Sequence, residues 1–130
     1  LKIDGDHLRL LQVLSNLVGN ATKYSQPGTT INVVTIIDGK YIAISVVDQG
    51  ERMSDNDKTR AFEMFFRGSS KSAKQESGTG IGLAVSKLIV EAHRGSIAIE
   101  DGYLVGTRVT IRLPRHKAIS DDGIESLFVA

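Results

Sequence analysis

The sequence predicts an α+β domain: a two-layer α/β sandwich with three helices packed on one face of a mixed, mostly antiparallel sheet. Three observations carry that expectation. Apolar residues recur at three- and four-residue spacing in long segments, as on one face of a helix. Short β-rich runs occur in pairs, and the first pair is joined by Asp38-Gly39-Lys40, a strong hairpin signal. The order along the chain is helix, hairpin, helix, loop, helix, hairpin, which two packed layers satisfy.

Each element has its own local reason. Residues 6–23 read as a helix because Leu11, Leu14, Val18 and Ala21 fall on helical spacing. The turn residues Tyr24-Ser25-Gln26-Pro27-Gly28 end it. Thr30 to Ile37 and Tyr41 to Val47 read as the first hairpin. A short helix follows from about Asp55 to Phe65, with Ser54 as its N-cap. Residues 66–80 are polar and rich in Gly and Ser, and read as a mobile loop. Ile81 to His93 form a second long helix, with Arg94-Gly95 as its stop. Ser96 to Asp101 and Thr107 to Leu113 form the last strands, ended by Pro114. The domain is expected over residues 1–114, with a tail over 115–130.

Composition narrows the function classes. A chain of 130 residues with 41% hydrophobic residues suits one domain with a real core. Lys plus Arg (16) nearly cancels Asp plus Glu (15), which gives no support to a nucleic-acid surface. The absence of Cys excludes a disulfide framework and a thiolate metal site, and fits a cytoplasmic location. No apolar run approaches the roughly 20 residues of a membrane span, and no signal peptide is visible, so no membrane contact is expected. The chain starts at Leu1 without Met, inside what reads as structure, and is taken as a piece of a longer protein.

Four segments carry candidate chemistry. On the first helix, Asn16, Asn20 and Lys23 fall close together, opposite the apolar stripe. A solvated face is the simplest reading, but Asn is a poor helix former and an unusual choice there. Two Asn one turn apart can offer carbonyl oxygens to a hard cation such as Mg²⁺, and Lys23 can reach a phosphate. Gly78-Thr79-Gly80-Ile81-Gly82-Leu83 lies between the polar loop and a helix. Glycines there allow close backbone approach, and a helix N-terminus offers unpaired N–H groups to an anion such as a triphosphate. The run is neither a P-loop nor a dinucleotide fingerprint, since no Gly-Lys-Ser/Thr follows and no strand precedes. A plain flexible linker is the competing reading. Asp48-Gln49-Gly50 closes the second strand, where Asp is most often a turn former but can also accept from an exocyclic amine such as that of adenine. In Phe62-Glu63-Met64-Phe65-Phe66-Arg67 the aromatics read as core packing, and Arg67 as a solvated cation or a phosphate partner.

Together and in this order, these segments resemble the catalytic domain of sensor histidine kinases, within the wider group of ATPases and kinases that share the Bergerat fold. Gln12 to Ser25 is similar to that family's N box, Asp48-Gln49-Gly50 to the start of its first glycine box, Phe62 to Arg67 to its F box, and Gly78 to Leu83 to its second glycine box. Glu91-Ala92-His93-Arg94-Gly95 and the Gly106-Thr107 strand also fit. The resemblance covers about residues 4–114. It implies ATP and Mg²⁺ as cofactors, with Asn20 as the metal ligand and Asn16 beside it at the phosphates. It implies phosphate contacts from Lys23 and Arg67, Tyr24 near the adenine or ribose, Asp48 on the adenine amine beside Gly50, and Gly78, Thr79, Gly80, Gly82 and Leu83 framing the phosphates. It makes the loop from about Arg67 to Ser77 an ATP lid.

The implied reaction moves the γ-phosphoryl group of ATP to a His on a separate dimerisation domain of the same parent protein, and indirectly serves a response regulator. Related ATPases of this fold carry Glu where Asn16 stands, and Asn cannot act as a carboxylate base, which favours transfer over hydrolysis. His7, His93 and His116 lack the acceptor motif. His93 reads as a helix-end residue, and His7 and His116 as solvated. One departure matters: the first glycine box expects a second Gly where Arg52 stands. Arg52 either swings out to solvent or crowds the base site. That leaves an alternative, a degenerate pseudokinase-like module that signals by protein contact. A serine kinase or ATPase of the same fold is a third possibility.

Overall fold

The structure is a computed structural model that describes residues 2–66 and 81–116. The first helix, α1, runs His7–Tyr24. Asp6 caps it, its Oδ1 accepting the Arg9 N–H at 3.1 Å. At the other end the Ser25 N–H donates to the Ala21 carbonyl. Strands β1 (Asn32–Asp38) and β2 (Tyr41–Val47) form the first hairpin, with Gly39 at φ 61° in its two-residue loop. Helix α2 (Asp55–Arg60) is capped as expected, Ser54 Oγ accepting the Asp57 N–H at 3.1 Å. Helix α3 (Gly82–Ala92) and strands β3 (Ser96–Asp101) and β4 (Thr107–Pro114) complete the described elements.

The described sheet has four strands in the order β1-β2-β4-β3, and every pairing is antiparallel. The expected mostly antiparallel sheet is thus antiparallel at every pairing among the described residues. Strand alternation sends Ile42 and Val46 of β2, and Val109, Ile111 and Leu113 of β4, to one face, all buried. Helices α1 and α3 cover that face with Val13, Leu17, Ala21 and Val90. Truncating a fully buried side chain such as Leu17 to Ala in this layer costs about 2–5 kcal/mol.

Three expectations change. The second helix ends at Arg60 rather than near Phe65, and Phe65 sits at φ 66°, outside right-handed helical space. The aromatics after it are not a shared core: Phe65 is 70% exposed, and Phe62 and Phe66 are only half-buried. The ring of Phe62 lies 5.2 Å from Lys87 Nζ, and that of Phe66 4.5 Å from the Arg60 guanidinium. At the end of α3 it is Arg94, at φ 62°, that takes the left-handed position, not Gly95. Gly95 serves a different need, because a Cβ there would overlap the Arg112 carbonyl oxygen on β4.

Two histidines are also more than solvent-facing groups. His93 Nε2 accepts the Asp6 N–H at 2.9 Å while Nδ1 donates to the Ile89 carbonyl at 2.8 Å, so one ring ties the start of α1 to the end of α3. His116 pairs with Asp4 at 2.6 Å. No helix among the described residues is long and apolar enough to cross a membrane.

Candidate functional site

Helix α1 brings candidate residues together, because it touches two of the other three motifs. Halfway along it, the Asn16 amide donates to the Gly82 carbonyl and to Ser86 Oγ, both at 3.3 Å. Ser86 is fully buried, and its role as the partner of Asn16 was not visible in the sequence. At the C-terminal end of α1, the Tyr24 carbonyl packs so closely on Gly50 that a Cβ at residue 50 would overlap its oxygen. Asn20 and Lys23 lie between these two contacts, on the Asn16 side of the helix. Asn20 is half-buried and Lys23 exposed, and the amide of Asn20 makes no hydrogen bond to the described residues.

Asp48 is 6% exposed and is built into the floor of the site from two directions. Its Oδ1 accepts the Gly50 N–H at 2.9 Å and the Thr107 N–H at 3.2 Å. Its backbone N–H donates to the Thr107 carbonyl at 3.0 Å, and Gly106, at φ 77°, lies where any Cβ would overlap the Asp48 carbonyl. Both bonds to the carboxylate fall on Oδ1, so among the described residues Oδ2 is left without a partner. Burial raises the pKa of this carboxyl, and the two backbone N–H groups pull it part of the way back down. Thr107 and Gly106 thus orient the acceptor from the far end of the chain. The sequence signal for that is the Gly106-Thr107 pair at the start of β4, which fits the family resemblance.

The N-terminus of α3 has the character an anion needs. Ile81 stands at the N-cap and offers no side-chain acceptor, and the first turn contains no acidic residue. Gly82 borders it, with negative φ and only ordinary contact distances, 3.8 Å, between a built Cβ and the Asn16 side chain. Nothing in the described fold therefore requires Gly at 82. Leu83 packs its side chain against the core, which leaves its backbone as its contribution to the site. Arg67, Gly78, Thr79 and Gly80, together with the expected lid, lie outside the described residues.

Arg52 is exposed, but its guanidinium is not left to solvent alone. Its Nη2 donates to three successive carbonyls of the β3–β4 turn: Gly102 at 3.1 Å, Tyr103 at 3.4 Å and Leu104 at 3.0 Å. Nearby, Lys58 Nζ meets Asp101 at 2.6 Å and Asp55 at 3.6 Å. The hydrogen bond between Lys58 and Asp101 chiefly holds the lysine above, and the aspartate below, their ordinary ranges. Among the described residues no cluster of three or more His, Cys, Asp or Glu side chains gathers to hold a metal. A Mg²⁺ held by one amide oxygen, phosphate oxygens and water needs no such cluster, and the amide oxygen of Asn20 suits it.

Residues 5–117 match the family of histidine kinase-, DNA gyrase B- and HSP90-like ATPases. The sensor-like histidine kinase SenX3 of Mycobacterium tuberculosis (strain ATCC 25618 / H37Rv) is 35% identical over 114 residues, which cover 88% of this chain and 28% of that protein. The sensor histidine kinase WalK of Bacillus subtilis (strain 168) is 33% identical over 128 residues, covering 97% of this chain and 21% of WalK. The chain thus spans about a quarter of the length of the curated relatives it matches. Among solved structures, the mycobacterial sensor histidine kinase MprB superposes with a TM-score of 0.80 at 32% identity, covering 88% of this chain and 77% of that one.

Proposed function

The chain belongs to the family of histidine kinase-, DNA gyrase B- and HSP90-like ATPases, and from that membership we propose that it is the ATP-binding catalytic domain of a two-component sensor histidine kinase. It transfers the γ-phosphoryl group of ATP to a His on a dimerisation domain of the same parent protein, and through that domain serves a response regulator. Its place is the cytoplasm, with any membrane anchor elsewhere in the parent.

The single observation that carries the reading is the double contact of α1, through Asn16 to the start of α3 and through Tyr24 to the Asp48-Gln49-Gly50 turn. A base held at Asp48 and phosphates held at the start of α3 then lie along one wall, with Asn20 and Lys23 between them. Asp48 accepts the adenine amine through Oδ2, and its two backbone donors keep the carboxylate from turning away. The first-turn N–H groups of α3 receive phosphate oxygens, and Gly82 lets them approach. Lys23 neutralises phosphate charge, with Arg67 from the segment beyond α2. Asn20 would hold Mg²⁺ through its amide oxygen, and the ion would supply charge neutralisation at the phosphates. Asn16 uses its amide N–H groups to hold α3 and has no carboxylate to offer a water molecule, which supports transfer over hydrolysis. The reading as a degenerate module rested on Arg52, and its guanidinium is engaged by the turn carbonyls.

Calorimetric titration of the chain with a non-hydrolysable ATP analogue and Mg²⁺ tests the first half of the proposal. Saturable binding that weakens on chelation of Mg²⁺ and in Asn20→Ala is expected. No heat at millimolar nucleotide would overturn it. Incubation with labelled ATP and a separate histidine-bearing dimerisation domain tests the second half, and acid-labile label on that domain is the expected product.

A further inference from the structure

We propose that Arg52 is a positioning residue for base recognition: by gripping the β3–β4 turn it fixes the turn whose Thr107 N–H orients the Asp48 carboxylate. The inference rests on the nucleotide reading of the site and adds to it a residue where the family pattern expects Gly.

The contacts close a ring. Asp48 Oδ1 is held by the N–H of Gly50, two residues along the same segment. Two residues further, Arg52 reaches across to Gly102, Tyr103 and Leu104. The turn continues through Gly106, whose carbonyl accepts the Gly102 N–H at 2.9 Å, to Thr107, whose N–H returns to Asp48 Oδ1. Two fixed donors on one oxygen leave the other aimed by default, and the second donor is only as fixed as the turn that carries it.

The turn needs a brace. Tyr103, Leu104 and Val105 at its tip are 87%, 76% and 52% exposed, so burial does little to hold them. Three consecutive carbonyls converging on one cationic nitrogen supply what packing does not, and bonds to a charged donor are the stronger kind. Lys58 with Asp101 adds a second tie between the same two segments, at the end of β3. A Gly at residue 52 could make none of the bonds to the turn.

The test compares ATP with inosine triphosphate, which carries a carbonyl oxygen where adenine carries its amine. Wild type, Arg52→Gly, Arg52→Gln and Arg52→Lys are titrated with both nucleotides in the presence of Mg²⁺. Loss of the brace in Arg52→Gly and Arg52→Gln should weaken ATP about tenfold, one step of 1.4 kcal/mol, and inosine triphosphate much less, so that the preference for ATP shrinks. Arg52→Lys keeps a cationic donor for the carbonyls and should retain most of that preference. If Arg52→Gly does not fold, Arg52→Gln and Arg52→Lys decide alone. Equal weakening of both nucleotides would reduce Arg52 to a structural brace and overturn the proposal. Unchanged or tighter ATP binding in Arg52→Gly would overturn it too, while leaving the nucleotide reading intact. Absence of any binding in wild type would remove the nucleotide reading first, and this inference with it.

Discussion

Asp48 is ionised at a cost. Burial is the largest influence on its carboxyl and raises the pKa, with only partial relief from the Gly50 and Thr107 N–H groups. For an acid the sign is fixed: the ionised form is penalised in the fold, so this group's contribution to stability falls as pH rises from the ordinary aspartate range through the raised value. Asp48→Asn should therefore leave thermal stability at pH 7 undiminished and flatten its dependence on pH in the acid range. The same change places an amide donor opposite the adenine amine, and should weaken ATP by ~1.5–3 kcal/mol, the worth of a hydrogen bond to a charged group. Melting curves across pH and a nucleotide titration check the two halves. Gly82 makes a parallel case. A Cβ there meets nothing closer than 3.8 Å, so Gly82→Ala should stabilise α3 by up to about 1 kcal/mol while weakening nucleotide by hindering phosphate approach. Weaker stability with unchanged affinity would show that residue 82 is a packing position instead. At this scale the sequence exposed Asn16 and Gly82, because their residue types are odd choices for a helix face and a helix start, whereas Asp48, an ordinary turn former at a strand end, stood out only through the family resemblance. It hid Ser86, Thr107 and the target of Arg52. Those contacts join positions 70, 59 and 50 residues apart, and no local pattern encodes them.

Between residues and fold stand the elements, and their ends were harder to read than their middles. Tyr41–Val47 and Ser96–Asp101 were legible to the residue, since each is a β-rich run bounded by turn residues or a helix stop. The end of α2 was not, because Phe62, Phe65 and Phe66 read as core packing, whereas Phe65 is exposed at positive φ. The stop of α3 misled in a more instructive way. Arg94-Gly95 reads as a Gly-terminated helix, yet Arg94 adopts the left-handed conformation and Gly95 is fixed by its approach to Arg112. Left-handed backbone costs a residue with a Cβ about 1–2 kcal/mol. Arg94→Gly should thus raise the urea midpoint, by roughly 1 kcal/mol at unchanged slope after the entropy of Gly is set against that gain. Gly95→Ala should do the reverse, and by more, because backbone on β4 has to move. His93 links the ends of two helices, its Nε2 accepting the Asp6 N–H and its Nδ1 bonded to the Ile89 carbonyl. His93→Leu keeps the bulk but removes the acceptor for the exposed Asp6 N–H, and a loss of about 0.5–1.5 kcal/mol in the same assay is expected.

Across the whole molecule the two layers cover the sheet unevenly. Helices α1 and α3 bury the inward faces of β2 and β4, but β1 is exposed along its entire length. Its sequence, Asn32 to Asp38, nonetheless carries Val33, Val34, Ile36 and Ile37, each between 42% and 57% exposed. Fold class was legible because periodicity reports which face of an element is apolar. It does not report whether a neighbour is there to cover that face, and β1 is the strand where the two part. The described edge has none of the usual guards: no Pro, no Lys, and a single terminal Asp38, already paired with Arg112. Unpaired N–H and C=O groups beside exposed branched side chains are a template for another strand. The chain should therefore self-associate as concentration rises, and do so through β1. Sedimentation of wild type and Ile36→Lys over a range of concentrations tests this. A lysine in the middle of the edge strand should shift the population towards monomer, and ATP affinity should stay within about twofold, since Ile36 is exposed on the edge strand and pairs with Ala43 of β2. Equal association in both proteins would place the contact elsewhere, with the exposed Leu8 and Leu11 of α1 the next surface to substitute.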